Sequence, residues 1–292
     1  MRIIKPGTSP GFFWEKIMKE IKLIACDMDG TLLDSNKSIP QENIEAVRKL
    51  KEAGIYFVIA TGRHDSMIKP YLDDLHIEMP VISCNGALVR EPFHDKMFSS
   101  TPISKEQMLT MAEICRQHGA DYHIYAHETI FGEQKKNKML YYYERNKTLP
   151  EREQVKLHIS ENYTDFIMGT EEEFYKILVV TDVPEILKKV DDEIYKQTGI
   201  KSSQSDFNLF DIMQKGITKA RALKELSEKL GITQEETAAI GDQTNDLDMI
   251  KWAGTGVAMA NAIPAVKEAA QLVTEKSNGE GGVAEAIKKL LN

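Results

Sequence analysis

The stretch Leu23-Ile24-Ala25-Cys26-Asp27-Met28-Asp29-Gly30-Thr31 decides how this chain is read. A continuous apolar run that stops at acidic and glycine residues suits a strand buried on both faces of a parallel sheet. In open α/β sheets ligands bind beyond the carboxyl ends of the strands, so Asp27 and Asp29 are expected to face a crevice. Residues i and i+2 of an extended chain lie on the same side. One carboxylate can then be a nucleophile while its neighbour handles protons, the division of labour needed to transfer a group through a covalent acyl phosphate. Gly30 allows the tight turn that brings backbone N–H groups to an anion.

Outward from this stretch, similar apolar runs occur at residues 56–60, 81–83, 237–240 and 256–259. Helical patterns lie between them. Residues 41–53 place Ile44, Val47 and Leu50 three apart and close at Gly54; residues 218–230 turn Ala222, Leu223, Leu226 and Leu230 inward and stop at Gly231. Pro264 fits the first position of a helix, and residues 283–291 form a last amphipathic one. Strand and helix in alternation predict an α/β core domain with a doubly wound, Rossmann-like parallel sheet. The middle third differs. Ser104-Lys105-Glu106-Gln107 reads as a capping box for a helix to about His118, followed by strand-like residues 122–125. A Tyr- and Lys-rich segment, 135–147, suits a second helix. Strand-like 176–181, a helix over 184–198 ended by Gly199 and strand-like 208–213 follow. Longer polar joints and antiparallel-looking strands predict an inserted α+β domain over residues 88–212, splitting the sheet domain into 21–87 and 213–292.

Lys plus Arg number 37 and Asp plus Glu 45, a net charge of −8, which argues against nucleic acid or an anionic membrane as partner. No apolar run approaches the ~18 residues of a membrane span. Cys26, Cys84 and Cys115 form a sparse, odd set that suits a reducing compartment, so the chain is read as cytoplasmic. Residues 1–20 read as an N-terminal extension without the apolar core of a secretory signal. Within it residues 12–19 are helix-compatible, and Met18 is a candidate alternative start.

A second acidic cluster, Gly241-Asp242-Gln243-Thr244-Asn245-Asp246, follows the apolar residues 238–240 as the first cluster follows its strand. Asp27, Asp29 and Asp242 are hard oxygen donors suited to Mg²⁺, which is usually held by few carboxylates plus substrate phosphate. Such an ion also reduces the repulsion between an anionic nucleophile and a phosphate dianion. Thr61-Gly62-Arg63, after the strand at 56–60, offers a hydroxyl and backbone N–H groups. Lys215-Gly216-Ile217-Thr218-Lys219 offers a lysine at the start of a helix, and lysine serves phosphate as a point charge. Composition and periodicity do not separate Lys215 from Lys219.

Asp27-Met28-Asp29-Gly30-Thr31, Thr61, Lys219 and Gly241-Asp242 with Asn245-Asp246 resemble, in order, the four motifs of the haloacid dehalogenase superfamily of phosphatases. Ser83-Cys84-Asn85-Gly86-Ala87 and Gly256-Val257-Ala258-Met259, followed by Asn261-Ala262, resemble its Cof-type branch, which carries a large α/β cap between the second and third motifs. The likeness runs from about Ile21 to Leu291, with Ala260 where many relatives have glycine. It implies that Asp27 is the nucleophile and a Mg²⁺ ligand. Asp29 would be the general acid/base and lend its backbone carbonyl to the ion, and Asp242 would be the third protein ligand. Thr61, Gly62, Lys219 and Asn245 would hold the phosphoryl group, Lys219 taking the family's lysine position. Asp246 would orient Lys219 or the metal shell, and Thr31 would support the turn from behind the site.

The expected activity is Mg²⁺-dependent hydrolysis of a small phosphorylated metabolite, most simply a sugar phosphate, through an aspartyl-phosphate. The chain would act as a monomer or weak homodimer, with the insert closing over the crevice and setting which leaving group is accepted. Two other readings share the aspartyl-phosphate: a sugar-phosphate mutase or other phosphotransferase, and a non-enzymatic phosphoacceptor domain. Asp29 argues against the second, since it supplies the fast dephosphorylation that a signalling domain must avoid. Gly254-Thr255-Gly256 is no full dinucleotide fingerprint, no Gly-Lys dipeptide supplies a P-loop, and the histidines lack zinc-type spacing with cysteine. Tyr141-Tyr142-Tyr143 reads as packing within the insert.

Overall fold

The computed structural model describes residues 20–206 and 208–291, the side chains of 204–206 excepted. The expected helix over 12–19 and the start at Met18 lie outside the described residues. In chain order the elements are β1 (Leu23–Cys26), α1 (Gln41–Glu52), β2 (Tyr56–Ile59), α2 (Lys69–Leu75), β3 (Val81–Ser83), β4 (Leu88–Glu91) and β5 (Lys96–Ser100). They continue with α3 (Lys105–Gln117), β6 (Asp121–Ala126), β7 (Thr129–Gly132), α4 (Asn137–Asn146), β8 (Lys156–Ile159), α5 (Tyr163–Gly169), β9 (Phe174–Val180), α6 (Pro184–Thr198), β10 (Ser203–Asp206) and β11 (Leu209–Ile212). The last are α7 (Lys219–Leu230), β12 (Thr237–Gly241), α8 (Leu247–Trp252), β13 (Thr255–Ala258), α9 (Pro264–Ala269), β14 (Leu272–Val273) and α10 (Gly282–Leu291).

Five strands form a parallel sheet in the order β14-β13-β12-β1-β2. All four residues of β1 and all five of β12 are buried, which is why these segments read as continuous apolar runs. The sheet shares one hydrophobic core with Val47 and Leu50 of α1, Leu223 and Leu226 of α7 and Val283 and Ile287 of α10. The chain is therefore an α/β protein with a central parallel sheet. Helices α1, α3, α6 and α7 stop where a glycine permits positive φ, as at Gly231 after α7.

A second hydrophobic core, from Ile103 to Ile212, lies under a six-stranded sheet of order β10-β11-β9-β6-β7-β8. The sheet is antiparallel except for the β7–β8 pair. Ser104 caps α3 through the expected capping box. Strand β3 joins β4 and β5 in a separate three-stranded sheet, and an isolated parallel bridge between Ala60 and Ile82 links it to the chain leaving β2. The hairpin β4–β5 falls inside the expected insert but pairs with β3, because Val89 and Phe98 pack against the parallel sheet's core.

Candidate active site

Strand pairing builds the site. Cys26 is level with Ile240 and Ile59, so the chain leaves all three strands at the same edge. The Asp27 N–H donates to Ile240 O at 2.9 Å, which sets Asp27 beside Gly241 and Asp242. Thr61 follows β2, its N–H donating to Ile82 O at 2.7 Å. Lys219 opens α7, whose N-cap Thr218 accepts from the Arg221 N–H at 3.1 Å.

The buried Lys219 ammonium donates to Asp27 Oδ1 and, at 2.7 Å, to Asp246 Oδ1. Lys215 is exposed, four residues away on the preceding turn. Asp246 is fully engaged: its Oδ2 accepts from the N–H groups of Asp242 at 2.9 Å and Gln243 at 3.0 Å. Thr31 Oγ1 donates to Asp242 Oδ1 at 2.8 Å. The packing tolerates no side chain at two glycines. A Cβ on Gly30, at φ +83°, would lie 2.4 Å from Asp242 Oδ2, and one on Gly241 would lie 2.5 Å from the Asp246 Cβ.

Asp27, Asp242 and Asp246 each offer an oxygen within 4.8 Å of the others. Against these three acids stands the Lys219 ammonium, so that full ionisation would leave two negative charges unbalanced in a buried place. Burial, reinforced by Asp246, pushes the Asp27 carboxyl well above its ordinary range despite Lys219. Burial raises Asp242 to about 6 against the Thr31 hydrogen bond. Burial works against the charge on Lys219, but Asp246 and Asp27 outweigh it and keep the ammonium firmly protonated. An oxygen-only donor set with this charge deficit fits a divalent, oxygen-seeking cation. Asp27 and Asp242 are the better placed to hold it, since both Asp246 oxygens are already bonded. A second acidic group, Asp95, His127 and Glu128, surrounds the Arg90 guanidinium, which fills the position a cation would take.

The Asp29 carboxylate does not join the acidic cluster. Arg63 clasps it through Nε at 2.7 Å and Nη2 at 2.6 Å, and Lys37 donates at 2.8 Å. Burial favours the neutral acid, yet Arg63 and Lys37 hold it down to about 2. Asp29 is thus held as a carboxylate of low basicity, and both taking and giving a proton require the clasp to open. Asn245 Nδ2 donates to Asn85 Oδ1 at 3.1 Å, and Asn85 lies against Gly62. The sequence reading assigned no role to Lys37, to the side chains of Arg63 and Asn85, or to Lys176, whose ammonium donates to Gly62 O at 2.8 Å. An arginine directly after the Thr61-Gly62 turn was the one local signal that could have pointed to Arg63.

A family model for haloacid dehalogenase-like hydrolases matches residues 24–287. The chain is 32% identical over 269 residues to the 5-amino-6-(5-phospho-D-ribitylamino)uracil phosphatase YcsE of Bacillus subtilis, spanning 92% of this chain and 95% of that protein. It is 31% identical over 290 residues to phosphatase YwpJ of the same organism, spanning 93% and 100%. The crystal structure of a haloacid dehalogenase-like hydrolase from Bacteroides thetaiotaomicron superimposes with a TM-score of 0.81 at 32% identity, covering 93% of this chain and 100% of that one.

Proposed function

Since this chain belongs to the haloacid dehalogenase-like hydrolases, we propose that it is a Mg²⁺-dependent phosphatase acting on a small phosphorylated metabolite through an aspartyl-phosphate on Asp27. The observation that carries this reading is the buried constellation at the carboxyl ends of β1 and β12, in which the three carboxyl groups of Asp27, Asp242 and Asp246 face the one ammonium of Lys219 from α7. Asp27, Asp242 and the backbone carbonyl of Asp29 would hold Mg²⁺, which when bound offsets the repulsion between the nucleophile and a phosphate dianion.

Asp27 attacks phosphorus in line with the leaving oxygen. Thr61, the Gly62 backbone, Lys219 and Asn245 hold the phosphoryl oxygens, Asp246 orients Lys219, and Thr31 steadies Asp242. Asp29 protonates the leaving oxygen once the Arg63 clasp opens, then takes a proton from the water that cleaves the aspartyl-phosphate. Most of the acceleration must come from positioning and electrostatics. Residues 101–212, around the second hydrophobic core, would form the cap that selects the leaving group. A sugar or polyol phosphate is the substrate class we favour, supported by the phosphorylated ribityl chain in the name of the YcsE substrate. Three buried, free cysteines are in keeping with a reducing cytoplasm, and among the described residues no helix is long and apolar enough to cross a membrane. We place the protein as a monomer or weak homodimer.

The test is phosphate release from a panel of sugar, polyol and cofactor phosphates with Mg²⁺, comparing wild type with Asp27→Asn. Asp27→Asn should be folded and inactive. Turnover of the variant within a few-fold of wild type would overturn the assignment of the nucleophile.

A further inference from the structure

The turn at residues 61–63 carries three backbone carbonyls, and they are held from two different directions. Thr61 O accepts from the Asn85 N–H and Arg63 O from the Cys84 N–H, both at 2.9 Å, so the turn after β3 anchors them. Gly62 O accepts instead from Lys176 Nζ at 2.8 Å. Lys176 belongs to β9, within the six-stranded sheet, and is only 4% exposed. Its ammonium also pairs with Asp211 of the neighbouring β11 at 3.0 Å and lies 4.5 Å from the centre of the Tyr125 ring.

A trans peptide is planar, with its C=O and N–H directed oppositely. Holding Gly62 O therefore also fixes the direction of the Arg63 N–H, which donates to Thr61 Oγ1 at 3.1 Å. The same peptide plane sets the start of the Arg63 side chain that clasps Asp29. A buried ammonium is costly unless fully bonded, and Lys176 directs one of its bonds out of its own sheet to this single carbonyl. Two residues beyond Arg63 a second buried cation, Arg90, ties Asp65 to the carbonyl of His127 in the β6–β7 turn.

We infer that Lys176 is a positioning residue for the phosphate-holding turn: through the Gly62–Arg63 peptide it aims the Thr61 hydroxyl and the Arg63 guanidinium. This rests on the phosphatase reading and extends it, since phosphoryl handling is then shared between the parallel sheet and the six-stranded sheet. A residue acting only on substrate choice would matter for large leaving groups alone. Lys176 acts on the turn itself, so its loss lowers turnover even of p-nitrophenyl phosphate.

Two variants decide it, assayed with Mg²⁺ and p-nitrophenyl phosphate beside thermal melts. Lys176→Met combined with Asp211→Asn removes the buried pair as a unit, so Tm should stay near that of wild type. The lost alignment should lower kcat by ~10–100-fold, the scale of a 1 Å misplacement, with KM nearly unchanged. Lys176→Arg keeps the charge beside Asp211 but replaces a point donor with a planar fork, and should lower kcat several-fold at an unaltered Tm. Wild-type kcat in either folded variant overturns the positioning role. A wild-type protein that releases no more phosphate than Asp27→Asn overturns instead the phosphatase reading beneath it.

Discussion

Replacing Arg90 with Met keeps an unbranched apolar stem, shortens the side chain and removes its charge, and the structure sets the expected cost. The guanidinium is fully buried and bonds to Asp65 through Nε and Nη2, to Asp95 at 2.7 Å, to Glu128 at 2.6 Å and to the carbonyl of His127 at 2.8 Å. Asp65 is equally buried. Burial works against its charge, but His64 and Arg90 hold its carboxyl below the ordinary range. Burial drives His64 itself toward its neutral form, so Arg90 is the lasting counter-charge. Asp95 and Glu128 have side chains 64% and 40% exposed, and pairs of that kind are worth about 0–1 kcal/mol each. The cost lies in Asp65: stranding one partner of a buried pair costs about 3–5 kcal/mol. Arg90→Met should therefore lose roughly 4 kcal/mol in urea unfolding followed by circular dichroism at pH 7, most of it regained in Arg90→Met/Asp65→Asn. A carboxyl with a depressed folded pKa stabilises above its unfolded pKa of about 3.9 and loses that contribution as pH falls through the folded value. The gap between wild type and Arg90→Met should accordingly narrow below about pH 4. A loss under about 1 kcal/mol at pH 7 would refute the argument, because Asp65 would then have found other compensation.

Lys219→Ala should lower kcat/KM by ~10²–10³, the scale for one lost transition-state stabiliser, while exposed Lys215→Ala stays near wild type in the same assay. Gly30→Ala forces a Cβ to within 2.4 Å of Asp242 Oδ2 at a positive φ; it should cost about 1–3 kcal/mol in thermal unfolding and weaken Mg²⁺ binding by calorimetry. Chelation should abolish phosphate release and Mg²⁺ restore it, whereas Ca²⁺, with its larger and looser shell, should inhibit. Mg²⁺ should also raise Tm, by an amount equivalent to about 2.7 kcal/mol at a hundred times its Kd, and an unchanged melt would remove the ion from the acidic cluster.

Much of the parallel sheet was legible in local sequence. β1 and β12 are buried on both faces, so their apolar runs are unbroken, and the acids that end them mark the crevice edge where the structure brings Asp27 and Asp242 together. Helix limits were equally local, because Ser104 and Thr218 as caps and Gly231 as a stop act within one turn. The edge strands β8 and β10 were not legible: Lys156-Leu157-His158-Ile159 and Ser203-Gln204-Ser205-Asp206 are polar or mixed, and pairing alone makes them strands. The hairpin β4–β5 joined β3 for a similar reason, its apolar residues being satisfied by the nearer core.

The sequence by itself determined which residues could do phosphoryl chemistry, since nucleophile, acid and cation donors are properties of side-chain type at strand ends. Only the tertiary structure decided the partners. Lys215 and Lys219 are alike in sequence, yet Lys219 alone is carried by α7 onto Asp27 and Asp246. Arg63 reaches Asp29 across 34 residues and Lys176 reaches Gly62 across 114. No periodicity encodes such pairs, because a buried charge is matched through space by whatever opposite group the packing of separate sheets brings within hydrogen-bond reach.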